Sequence, residues 1–248
     1  MTETPRNAPG AGTALVPWIL VGCAISAVCL LSVCLLSIVA MSLAGGQPLL
    51  SLLAPFNAPP DTTPPTSANI RFRDDFHDNR AGWSLFQDAT GGAAIESGRL
   101  AVFVSGPDRT ALVTAPIRFD NFSLEADSGL ESGAAEASYG LIFRHLDDNN
   151  FYLFEVDGLG NYRLGKMVGG GYTPLIPPTA SERVQPGLAM NRLRVQADGP
   201  RIIVGVNGVD IGAVSDNAFS EGTIGVSAAL VNPGDARVVF GNLQVSQP

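Results

Sequence analysis

Two patterns divide the chain. Between Arg6 and Asp61 there is no charged residue and no histidine, and Pro17–Leu43 is a continuous apolar run broken only by small or hydroxylic side chains. As a helix at 1.5 Å per residue this run is roughly 40 Å long, enough to cross a hydrocarbon core of about 30 Å. The serines can return their hydroxyls to backbone carbonyls, and Trp18 suits the membrane interface. The pattern predicts a single transmembrane helix over residues 14–44, behind a short cytoplasmic tail over 1–13. A cleaved signal peptide would have a shorter apolar core and a basic leader. Leu20-Val21-Gly22-Cys23 is similar to a lipobox, but the apolar run continues some twenty residues past Cys23. An uncleaved signal-anchor is therefore expected, with membrane lipid as its partner and the C-terminal head outside a cell membrane.

Residues 45–68 carry six prolines, which lock φ and remove donors, so an extended stalk is expected there. From residue 69 onward the period changes to two. Leu100–Val104, Phe122–Asp127 and Leu193–Ala197 alternate apolar and polar positions, and turn residues recur every 8–12 positions. Asn207-Gly208, between two such runs, meets the need of a type I′ turn for positive φ at both central positions. Residues 69–248 thus read as an all-β, two-sheet antiparallel sandwich, and their length suffices to bury a core without staples.

Composition narrows the function. A net charge of -8 with a pI near 4.7 argues against a nucleic-acid binder. All three cysteines lie in the apolar run, so the head has neither a disulfide scaffold nor a cysteine zinc site. No glycine-rich loop joins a strand to a helix, so nucleotide binding is not expected.

Several motifs recur in order: Asp74-Asp75-Phe76 with Gly82-Trp83, Tyr139–Arg144, Asp148–Phe154, Asn191–Val195, Val206-Asn207-Gly208 and Gly222–Val226. Together they resemble the concanavalin A-like lectin/glucanase superfamily, in the branch similar to the 3-keto-disaccharide hydrolases. The resemblance implies a jelly-roll with a glycan ligand on one sheet face. It leaves open a non-catalytic, membrane-tethered binding or sensing module and, as the alternative, a surface glycoside hydrolase. Glu125-Ala-Asp127-Ser-Gly-Leu-Glu131 is similar to the bulged catalytic strand of family 16 glycoside hydrolases, which would make Glu125 the nucleophile and Glu131 the acid/base. The other reading of these carboxylates is a solvated acidic edge.

The hairpin beginning at Tyr139 supplies the binding candidates. With Asp147–Asn150 as the turn, Phe143 faces Phe154 and Tyr139, His145 and Tyr152 point to the core. Gly158-Leu-Gly160, read as a three-residue loop, pairs Glu155 with Arg163, so Arg144, Glu155 and Arg163 share the opposite face, as an ion-pair ladder or as a polar platform for a glycan or carboxylated ligand. Asp74, Asp75 and Asp78 are candidates for a calcium site, since hard cations want several oxygens, or for capping the adjoining turn.

Overall fold

The computed structural model describes residues 69–248. The predicted anchor and stalk lie outside them, and among the described residues no helix is long and apolar enough to cross a membrane. Fifteen strands follow in chain order: β1 (Ile70–Asp74), β2 (Phe86–Gln87), β3 (Gly91–Glu96), β4 (Arg99–Ser105), β5 (Arg109–Phe119), β6 (Phe122–Gly133), β7 (Ser138–Asp147) and β8 (Asn150–Asp157). The remainder are β9 (Asn161–Val168), β10 (Gly171–Ala180), β11 (Asn191–Asp198), β12 (Arg201–Val206), β13 (Val209–Ser215), β14 (Gly222–Leu230) and β15 (Asp235–Ser246). They form a nine-stranded sheet, β13-β12-β11-β6-β15-β4-β3-β2 with β1 added to β15, and a six-stranded sheet, β10-β9-β8-β7-β14-β5. The expected two-sheet antiparallel sandwich is what the described residues form.

The predicted alternation positions the core. Phe122, Leu124 and Ala126 of β6 meet Leu193, Val195 and Ala197 of β11 on the inner face, and all six are fully buried. Tyr139, Leu141 and Phe143 of β7 and Tyr152, Phe154 and Val156 of β8 face them from the other sheet. Fully burying a side chain of this size contributes roughly 1.5–3 kcal/mol, so this interior supplies the main favourable term of the fold. The Asn207-Gly208 turn has φ of 52° and 81°, as a type I′ hairpin requires.

One register differs from the expected one. Asp147 does pair with Asn150, but Phe143 pairs with Tyr152 and Leu141 with Phe154, two positions off the simple hairpin. Extra residues in β7 form a bulge in which Arg144 has a φ of 47°. Gly222 of β14 permits it, because a Cβ there would collide with the Arg144 backbone.

Both ends of the domain emerge at one pole, where the Gln247 N–H donates to the Asn69 carbonyl. Strand directions put the β7–β8, β11–β12 and β13–β14 turns at this pole and the β6–β7, β8–β9 and β14–β15 turns at the other.

Candidate functional site

The bulge separates the residues expected to act together. Arg144 is only 1% exposed and does not join Glu155 and Arg163. Its Nη1 donates to the Phe219 carbonyl at 3.1 Å, and Nη2 donates to the carbonyls of Asp120 and Gly199 at 3.1 and 2.9 Å. The side chain therefore ties three turns together at the pole where the chain enters. Burial holds its pKa below the ordinary guanidinium value. The bulge moves His145 as well: it packs on Phe151, in the small apolar cluster on the outer face, with Nδ1 3.2 Å from Thr223 Oγ1. The expected core histidine is thus a histidine of the outer face.

Glu155 and Arg163 do come together, in the predicted register. Their row crosses four strands: Ser227 of β14, Gly140 of β7, Glu155 of β8 and Arg163 of β9. Because Gly140 has no side chain, Ser227 Oγ reaches past it and donates to Glu155 Oε1 at 3.2 Å. Arg163 Nε donates to Glu155 Oε2 at 2.7 Å and Nη2 to Ser138 Oγ at 2.9 Å. Glu155 is 1% exposed although it faces away from the core, whereas Arg163 stays half-buried. Burial works against the Arg163 charge, but the Glu155 carboxylate more than offsets it and raises the guanidinium pKa. Nη1 of Arg163 finds no acceptor among the described residues, which leaves one strong donor at the surface. A cleft of about 60 Å³ opens beside the pair, at the pole opposite the chain ends.

Sequence reasoning missed Ser138, Ser227 and Tyr172. Tyr172 is 45% exposed, and its ring lies over Gly165, where a Cβ would strike it. Burial and the charge of Glu155 raise its pKa, and Arg163 acts the other way, so the phenol lies within electrostatic reach of the pair. The glycines at 140 and 165 were the available signal, but only the strand register shows what they make room for.

The other candidates lie elsewhere. Glu125, Asp127 and Glu131 share the outer face of the nine-stranded sheet, and a bulge falls at Glu131, since Val238 pairs with Leu130 and Arg237 with Ser132. Each carboxylate is bound by an arginine. Arg192 Nη2 donates to Glu125 at 2.8 Å and Nη1 to Asp127 at 2.9 Å, while Arg237 Nε donates to Glu131 at 2.6 Å. Gln244 and Asn242 donate to Glu125 and Asp127 as well. At the first strand end, Asp74 accepts from the Phe76 N–H and from Trp83 Nε1, at 2.7 and 2.8 Å. Asp75 accepts from the His77 N–H and Asp78 from the Arg80 N–H. These are turn-capping geometries, and among the described residues no three His, Cys, Asp or Glu side chains form a group suited to a metal ion.

A jelly-roll with a polar cleft on one sheet face defines a fold shared by carbohydrate-binding modules and glycosidases. Residues 72–245 match the 3-keto-alpha-glucoside-1,2-lyase-like domain, and the chain belongs to that family. Solved structures with this fold include the carbohydrate-binding module CBM66 from Bacillus subtilis, at 22% identity and a TM-score of 0.56, covering 67% of this chain and 96% of that one. A Bacillus subtilis protein of unknown function with a galectin-like fold is 13% identical with a TM-score of 0.53, covering 72% and 96%. The catalytic domain of an endo-1,3-beta-glucanase (laminarinase) from Thermotoga petrophila is 9% identical with a TM-score of 0.52, covering 73% and 98%. At these identities the likeness is one of fold. No curated protein matches the sequence.

Proposed function

We propose that the domain is a non-catalytic carbohydrate-binding module, tethered outside a cell membrane by its apolar N-terminal run, with the ligand on the outer face of the six-stranded sheet. The observation that carries this reading is the Glu155–Arg163 pair, a sealed carboxylate that fixes a half-exposed guanidinium with an unused donor. The free Nη1 donor of Arg163 and the neighbouring Ser138 hydroxyl match sugar hydroxyls, which both donate and accept. Tyr172 offers the apolar face that a sugar ring packs against. Arg144, expected to share this platform, serves the fold instead. The family and the fold of CBM66 support a carbohydrate ligand, and the position of the cleft, away from both chain ends, suits a tethered head. The site invokes no cofactor.

The alternative, a surface glycoside hydrolase, requires two carboxylates free to act as nucleophile and acid. Glu125 and Glu131 are each engaged by an arginine, which favours binding. A glycan array probed with the full-length protein tests the choice. Specific hits are expected, and Arg163→Ala should abolish them. Glycan hydrolysis that disappears in Glu125→Gln or Glu131→Gln would establish the enzyme instead.

A further inference from the structure

The cleft beside Glu155 has a volume of about 60 Å³ and admits a ring substituent. With the substituent inside, the ring lies over Arg163, with Tyr172 beside it.

The walls of the cleft differ in chemistry. Ser138, Glu155 and Arg163 supply its polar groups, while Ala229 and Val231 form an apolar wall on the β14 side and Pro178 lines the β10 side. A substituent that fills the cleft therefore needs a polar part and a methyl-sized apolar part together. Its charge is restricted too. Glu136 and Asp157 also line the cleft, and its one cation, Arg163, is already bound by Glu155, so an added carboxylate is repelled. An ammonium pairs at most with Glu136, because the Asp157 oxygens are taken by Asn161 and the Leu159 N–H, and it leaves the apolar wall unfilled. A bare hydroxyl leaves that wall unfilled.

Resting on the binding reading above, we infer that the ligand carries an N-acetylated amino sugar whose acetamido group occupies this cleft. Its carbonyl accepts from Arg163 Nη1, its N–H donates to Ser138 Oγ, and its methyl packs against Ala229 and Val231. One buried methyl and one added hydrogen bond together correspond to at least about tenfold in affinity.

Calorimetric titration of the full-length protein with three disaccharides that differ only at C2 tests this. N,N′-diacetylchitobiose should bind at least about tenfold more tightly than cellobiose or fully deacetylated chitobiose. Ala229→Val, which fills the apolar wall, and Val231→Gln, which makes it polar from an exposed position, should each erase the preference for diacetylchitobiose over cellobiose. Arg163→Ala should weaken all three. Equal affinity for the three sugars, tighter binding of deacetylated chitobiose, or no binding of diacetylchitobiose would overturn the acetamido assignment. Array hits confined to sugars without acetamido groups would overturn it too, yet would leave the carbohydrate-binding reading standing. An array with no hit of any kind removes both.

Discussion

On the nine-stranded sheet Arg192 bridges Glu125 and Asp127 with about a third of each side chain in water, and Gln244 and Asn242 complete the pairing. On the six-stranded sheet Arg163 holds a carboxylate that is sealed from solvent, and keeps one donor unused. The residue types are the same, and burial makes the difference. A surface ladder with every group satisfied contributes about 0–1 kcal/mol per pair and offers a ligand nothing it lacks. A buried pair costs desolvation that apolar side chains of similar volume would avoid. Keeping such a pair at the wall of a cleft is the arrangement expected of a site that binds.

Arg144 sharpens the contrast because it is an arginine used for neither purpose. Removing it leaves three carbonyls without their charged donor, each worth about 1 kcal/mol or more. Arg144→Ala should therefore destabilise the protein by about 3 kcal/mol in urea denaturation, the largest effect expected of the arginines discussed. A change under about 1 kcal/mol would return Arg144 to the surface-ladder class. Gly208 lies at the edge of the Arg192 face with a φ of 81°. Gly208→Val should cost about 1 kcal/mol or more, through backbone strain alone, and leave glycan affinity unchanged. Arg192→Ala is the smallest of the three. Its pairs are exposed, so a loss of about 1 kcal/mol or less is expected.

Much of the fold was legible because period-two alternation survives wherever one face is buried. Phe122–Asp127, Leu193–Ala197 and the Asn207-Gly208 hairpin lie where the pattern put them. The Gly158-Leu-Gly160 turn also gave the Glu155–Arg163 pairing correctly, since its three-residue loop fixes the register. The β7 bulge was hidden. Nothing local in Ile142-Phe-Arg-His145 favours positive φ at an arginine, and the residue that makes room for it, Gly222, lies some eighty residues away. The bulge moved both Arg144 and His145. The strand β10 was equally hard to read, because Pro174, Pro177 and Pro178 argue against a strand in general and are admitted here only at a sheet edge, with two register shifts. Tyr172, on that strand, was lost with it.

The most direct test of the account compares Arg163→Ala with Arg192→Ala by calorimetric titration of the full-length protein, using N,N′-diacetylchitobiose. The account predicts that Arg163→Ala loses at least about tenfold in affinity, consistent with a charged hydrogen bond of about 1.5–3 kcal/mol, while Arg192→Ala binds as the unaltered protein does. Equal affinity in Arg163→Ala, with a loss in Arg192→Ala, would place the ligand on the nine-stranded sheet and contradict it.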